Sequence, residues 1–223
     1  MAEHVLPADI ERSSFQIIRS ELQAAGIRLP EREAPVILRC IHATADFDYV
    51  RNLYFSENAA ETAVRRLTEG IPVLTDTNMA LSGLSKSALS RLRCEAHCLM
   101  AEREIAVRAE REGCTRASAA MEAAAERWPE AARAVGNAPT ALLKTAEQIE
   151  NGLRPAFVVA VPVGFVNITE SKQRMVSVCR EYEIPCIAAM GRKGGSTVAA
   201  AICNALLYMA ADMQDPAERG WNG

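Results

Sequence analysis

The stretch AFVVAVPVG, residues 156–164, is apolar at every position up to its closing glycine. A strand lying half in water alternates apolar and polar side chains. This one has apolar side chains pointing both ways, so both of its faces must be covered. That predicts a central strand of a parallel sheet with helices above and below. Shorter apolar runs of the same kind occur at 70–76 (GIPVLTD), 91–96 (RLRCEA), 133–136 (RAVG) and 184–191 (IPCIAAMG). Helical periodicity fills the gaps, at 99–111, 116–127, 139–151, 170–181 and 196–212. Strand alternating with helix predicts an α/β fold: a three-layer α/β/α sandwich around a mainly parallel, five-stranded sheet.

Upstream of this core the grammar is helical. DIERSSFQIIRSELQAA (9–25) sets Ile10, Phe15, Ile17, Ile18 and Leu22 near helical spacing and stops at Gly26. LPEREAPVILRCIHATAD reads as a second helix, with Pro30 and the following acids in its first turn. SENAAETAVRRLTEG reads as a third, with Ser56 as N-cap and Gly70 as the stop. The expected organisation is one domain over 1–211, with N-terminal helices at 9–69 and an α/β core at 70–211. The last dozen residues, 212–223, read as a weakly ordered tail.

Composition bounds the function. Of the 223 residues 49% are hydrophobic and 24% charged, enough to bury a full core. The net charge is −3 and no Lys/Arg run occurs, which argues against a nucleic-acid partner. No apolar run reaches the roughly 18 residues of a membrane span, and MAEHVLPADIERSS has no signal-peptide core. Seven scattered cysteines suit a reducing compartment, so a soluble, cytoplasmic protein is expected.

Three predicted strand ends open into glycine-bearing turns before a helix: VGNAPTAL (135–142), VPVGFVNITESK (161–172) and MGRKGGSTVAAA (190–201). Each alone reads as an ordinary βα loop. Together, with Arg192 and Lys193 in the third, they suggest an anionic ligand bound over helix N-termini. Neither a P-loop nor a G-x-G-x-x-G fingerprint is present. Lys172 and Glu170 read as helix-surface residues. Cys94, His97 and Cys98 have neither haem nor paired-zinc spacing and read as structural, so no metal site is expected. With no G-x-S-x-G elbow or recognisable triad order, His42 in RCIHATADFDYV is the candidate neutral-pH acid/base. On its own, a histidine there is more often a tolerated core residue.

Several segments in order resemble the precorrin-8 methylmutases of cobalamin biosynthesis, in the cobalt-precorrin-8 branch. They are ERSSFQIIRSE, RCIHATADFDY, PVLTDTNMALSG, TRASAAM, GNAPTAL, PVGFVNITESK and GRKGGSTVAAAICNAL, spanning about Ile10 to Leu207. The resemblance implies a flavodoxin-like sandwich, a homodimer and an isomerisation. In that reaction a methyl group moves from ring carbon 11 to ring carbon 12 of the tetrapyrrole, giving cobyrinate or hydrogenobyrinate. It implies no cofactor, because any cobalt is carried by the substrate. The family's catalytic histidine falls on His42. Its substrate-contacting serine falls on Ser14, directly before Phe15, and its arginine falls on Arg39, one helical turn before His42. Thr115 and Arg116 match a TR motif near the substrate, although Cys114 precedes them where one branch has asparagine. Arg39, Arg116, Arg192 and Lys193 are expected to meet the carboxylates of an anionic tetrapyrrole. A non-catalytic corrinoid carrier is the competing reading, and His42 discriminates, since a carrier needs no titrating group there.

Overall fold

The computed structural model describes residues 6–219. Helices α1 (Pro7–Ala24) and α2 (Ala34–Thr44) lead to a single turn, α3 (Tyr49–Asn52), strand β1 (Leu53–Phe55) and α4 (Ala59–Thr68). There follow β2 (Val73–Thr75), α5 (Asn78–Gly83), α6 (Lys86–Leu92), β3 (Ala96–His97), α7 (Arg103–Glu112) and α8 (Arg116–Arg127). Next come β4 (Ala132–Val135), α9 (Pro139–Glu150), β5 (Val158–Ala160), α10 (Ile168–Glu181), β6 (Cys186–Ala189) and α11 (Ser196–Ala210). A 3-10 turn, Pro216–Arg219, follows α11.

The strands join in one sheet, in the order β1-β6-β5-β4-β2-β3. All pairs are parallel except β1–β6, in which Leu53 faces Ala189 and Phe55 faces Ile187. Without β1, the parallel strands run in the 2-1-3-4-5 order of a flavodoxin-like doubly wound sheet. The both-faces reading of 156–164 holds atom by atom. Phe157, Val159 and Val161 enter the core built with α2, α4 and α11, while Val158 and Ala160 enter the core built with α8, α9 and α10. Ile187 and Ala189 repeat this split against Cys186 and Ala188 on β6.

Several expectations need correction. The sheet has six strands rather than five: β1 lies within 9–69, the stretch read as N-terminal helices, and pairs with β6. The run 91–96 is mostly not strand. Helix α6 occupies it to Leu92, Arg93 turns left-handed at φ 57°, and only Ala96–His97 pair. Helix α2 starts at Ala34, with Pro35 rather than Pro30 in its first turn, where a missing N–H breaks no bond. Ser56 does not cap α4. Its Oγ accepts from Cys186 N (2.9 Å), tying the end of β1 to β6. The tail is docked as far as Arg219, which is buried, because its guanidinium meets Glu11 of α1 and two backbone carbonyls. Residues 220–223 of the expected tail lie outside the described residues.

Candidate active site

Ligands of doubly wound sheets bind at the carboxyl ends of the strands, at the point where the strand order reverses. Here that point lies between β2 and β4. The three backbone N–H groups that open α9 there, from Gly136, Asn137 and Ala138, all donate to the Asp76 carboxylate at 2.7–2.8 Å. Burial pushes the Asp76 carboxyl above its usual range, and these three donors pull it back. The anion expected after Gly136 is therefore the protein's own. A Cβ on Gly136 would also lie 2.8 Å from Ser196 Cα, so glycine lets this turn sit against the start of α11. Ser196 Oγ meets Thr77 Oγ1 at 2.7 Å, tying the loop after β2 to the loop after β6.

The same edge carries His42. Because β1 runs antiparallel to β6, it begins beside the carboxyl end of β6, and Met190 N donates to Asn52 O at 2.7 Å. The end of α2 is thereby brought to the loop 190–195. Helix α2 closes at Ala45, which is left-handed at φ 52°. Asp46 and Asp48, just beyond, both accept from Lys193 Nζ (2.6 and 2.5 Å). Lys193, expected to hold a ligand carboxylate, is neutralised by its own chain.

His42 is exposed, and its ring stacks on Phe15 of α1, with centroids 5.0 Å apart. Arg39 lies over the same ring at 4.7 Å, so the one-turn spacing does put both side chains on one face. Arg39 is already engaged, however: its Nη1 is 2.7 Å from Glu11 Oε1, and its other neighbour is Tyr208. Its Nε is buried and has no hydrogen-bond partner among the described residues. Partial desolvation of the otherwise exposed ring first, and the Arg39 charge second, hold the His42 pKa below the ordinary 6.5, with Glu11 opposing. Ser14 sits half-buried beside Phe15, donating to Ile10 O at 2.8 Å.

Thr115 caps α8, accepting from Ser118 N, and its Oγ1 lies 2.8 Å from Thr140 Oγ1 in the first turn of α9. Arg116 follows it, exposed. Arg192 is exposed and lies over Phe165 at 5.4 Å. The structure thus gathers Ser14, Arg39 and His42 around Phe15, and sets Thr115 and Arg116 at the start of α8 and Arg192 and Lys193 in the loop after β6, on the same sheet edge.

Sequence reasoning missed three features of this edge. Phe165 and Val166 are 82% and 75% exposed, and Met79 69%, which gives the rim large apolar side chains. The triplet GFV, following a buried strand, was the available signal. Lys172 is not a surface residue: it is fully buried, and Nζ donates to the carbonyls of Gly191 (2.9 Å) and Lys193 (2.7 Å). Burial lowers its pKa to about 8. The third feature is Glu11, whose partners lie at Arg39 and at Arg219, 208 residues away.

A cleft of about 330 Å³ opens beside Arg39, Tyr208 and Arg219, and His42 lies outside it. A larger one, about 930 Å³, is lined by Tyr54, Arg65, Arg154 and Arg180 and contains none of the expected site residues. Among the described residues, no three His, Cys, Asp or Glu side chains are grouped to hold a metal, and no helix is long and apolar enough to cross a membrane.

A sequence model described as Precorrin-8X methylmutase matches residues 9–209. The chain is 41% identical over 207 residues to a cobalt-precorrin-8 methylmutase of Salmonella typhimurium, covering 91% of this chain and 95% of that one. It is 39% identical over 211 residues to one of Leptospira interrogans, covering 92% and 94%. A precorrin-8X methylmutase of Pseudomonas aeruginosa is 35% identical over 198 residues, covering 88% and 93%. The crystal structure of a precorrin-8x methyl mutase from Thermus thermophilus superposes with a TM-score of 0.81 at 40% identity, covering 91% of this chain and 98% of that one.

Proposed function

The chain belongs to the precorrin-8X methylmutase family and is an isomerase of corrin-ring biosynthesis; from that premise we propose that His42 is the acid that drives the reaction and that cobalt-precorrin-8 is the substrate. The observation that carries the assignment of His42 is its setting. It is an exposed imidazole, stacked on an aromatic ring with a guanidinium on the same ring, at the edge where this fold binds ligands.

The reaction transfers a methyl group within the macrocycle. The bond from ring carbon 11 to the methyl breaks, the bond to ring carbon 12 forms, and no electrons enter or leave. The barrier lies in steering the conjugated system into the form that rearranges. A proton delivered near ring C does this, and after the methyl shift the macrocycle returns a proton to His42, so substrate and product carry the same number of protons and His42 is regenerated. A depressed pKa makes protonated His42 a stronger acid. Arrival of a polyanionic substrate raises its proton affinity again, so binding loads the catalyst. This isomerisation calls for no redox cofactor, and cobalt enters as part of the substrate.

For the carboxylate arms, exposed Arg116 and Arg192 are better placed than Arg39 and Lys193, whose charges are already matched. Ser14 and Thr115 offer hydroxyl contacts. Phe165, Val166 and Met79 supply apolar surface for the flat face of the ring. A macrocycle on so open an edge needs a cover, and a second copy of the chain would provide one. Leu6, Ile10 and Ile17, an exposed apolar face of α1, support that homodimer. Seven unpaired cysteines support a cytoplasmic setting. The carrier reading is not favoured, because the matched relatives are named as enzymes.

Anaerobic incubation of catalytic amounts of the protein with cobalt-precorrin-8, and separately with metal-free precorrin-8, followed by absorbance, tests the assignment. Full conversion of the cobalt form, faster than the metal-free form, is expected. Stoichiometric binding without turnover would return the protein to the carrier class.

A further inference from the structure

Glu11 is 4% exposed, yet it is a carboxylate in the first half of an otherwise ordinary amphipathic helix. Two guanidiniums converge on its Oε1: Arg39 Nη1 at 2.7 Å, and Arg219 Nη1. Burial pushes the Glu11 carboxyl up, and the two arginines more than reverse this. Arg219 is itself held from three more sides. Nε donates to Met213 O (2.9 Å), Nη2 donates to Gln214 O (2.6 Å), and the Tyr208 ring lies 3.9 Å from its carbon centre. Arg12 adds a second tie, to Asp215 at 2.6 Å. The proton transfer assigned to His42 uses none of these groups.

We propose that Glu11 and Arg219 are positioning residues for the His42 site: their buried pairing fixes Arg39 against Phe15, the ring on which His42 lies, and makes the docked segment 213–219 a working part of that site. This rests on the reading of His42 as the acid. The alternative is a cluster that merely pins the C-terminus to α1. Pinning alone needs one ion pair, and Arg12–Asp215 already supplies it at the surface. The buried cluster instead combines one negative and two positive charges, leaving one net positive charge under the imidazole.

That imbalance gives the proposal its test. The charged groups bearing on His42 are Arg39 on its own helix, Glu11 on α1 and Arg219 on the C-terminal turn. Tyr208 of α11 packs on both guanidiniums, and Asp46 and Asp48 beyond the helix end are matched by Lys193. Glu11→Gln leaves two unmatched cations and must lower the proton affinity of His42. Arg219→Gln leaves a balanced Glu11–Arg39 pair and must raise it. Each displacement is of order half a pH unit for a unit charge acting on the imidazole from beyond contact in a partly screened setting.

The chain has three histidines, so His42 is assignable by NMR from the resonance lost in His42→Gln. Titrations of wild type, Glu11→Gln, Arg219→Gln and Arg219→Lys are compared, with kcat and KM measured across the same pH range. The expected result is displacement in opposite directions for the two glutamine variants, restoration by Arg219→Lys, and a kcat limb that follows the imidazole while KM moves less than about twofold. If neither variant moves the titration, or both move it the same way, the proposal fails. Should Glu11→Gln not fold, the Arg219→Gln and Arg219→Lys pair carries the same sign test. A titration that moves as expected while the kcat limb stays fixed would overturn the acid role of His42 and leave the positioning intact.

Discussion

Replacing Lys172 by methionine should separate stability from activity. The lysine is fully buried, has no carboxylate partner among the described residues, and its Nζ holds the carbonyls of Gly191 and Lys193. Burial lowers its pKa from 10.5 to about 8. Below pH 8 both folded and unfolded chains carry the proton, and the fold bears the full cost of a buried ammonium. Between pH 8 and 10.5 the unfolded chain holds more protons than the folded one, so stability rises with pH. At about 1.4 kcal/mol per pH unit the rise is about 3 kcal/mol, complete above 10.5. Methionine fills the volume and cannot titrate. At pH 7 the variant loses two charge-assisted hydrogen bonds, about 1.5 kcal/mol each, and sheds a burial cost of similar size. Its net stability should therefore stay within about 2 kcal/mol of wild type. The assay is urea unfolding, with reductant present, at intervals from pH 7 to 10.5 for both proteins. The difference between the two curves isolates Lys172 from cysteine and tyrosine titrations. Turnover should fall, because loop 191–195 loses its internal tie. Parallel stability curves across pH 8–10.5 would mean that Lys172 does not titrate in the fold over this range.

Two further substitutions follow from the geometry of the edge. Asp76→Asn keeps the shape but turns an amide NH2 toward one of three N–H donors, which should cost about 2–4 kcal/mol in a urea melt; a change below about 0.5 kcal/mol would mean the N–H groups have other partners. Gly194→Ala places a Cβ against the Val161 carbonyl and 2.9 Å from Pro162 O, at a φ of +154°. It should destabilise by about 1–3 kcal/mol and slow turnover by displacing loop 191–195. Wild-type turnover in this variant would show that the loop is not part of the working site.

The sheet was legible because burial on both faces leaves a mark in the residues themselves: AFVVAV has nowhere else to go. Helix α8 was legible to its ends, since Thr115 caps it and its alanines repeat at helical spacing. Strand β1 was not. It has three residues, all half-buried, and exists only because β6, more than 130 residues later, offers an edge. The charged residues divide in the same way. Arg116 and Arg192 remain exposed, as their loops suggested. Lys193, Lys172, Arg39 and Asp76 each found a partner within the chain. Which charge meets which partner is a property of tertiary packing, and no local pattern records it. The motif that mattered, a histidine one turn after an arginine, was visible as spacing. Its setting on Phe15, with Glu11 and Arg219 behind it, needed the fold.

The mechanism stands or falls on His42 as the proton donor. His42→Gln keeps the size and hydrogen-bonding capacity of the side chain and removes its titration. The decisive measurement is anaerobic single-turnover conversion of cobalt-precorrin-8 by enzyme in excess, followed by absorbance, with the Kd taken from the binding phase of the same traces. With His42 as the acid, the Kd of the variant should stay within a few-fold of wild type and its conversion rate should fall by about a hundredfold or more. Conversion at the wild-type rate would contradict that role.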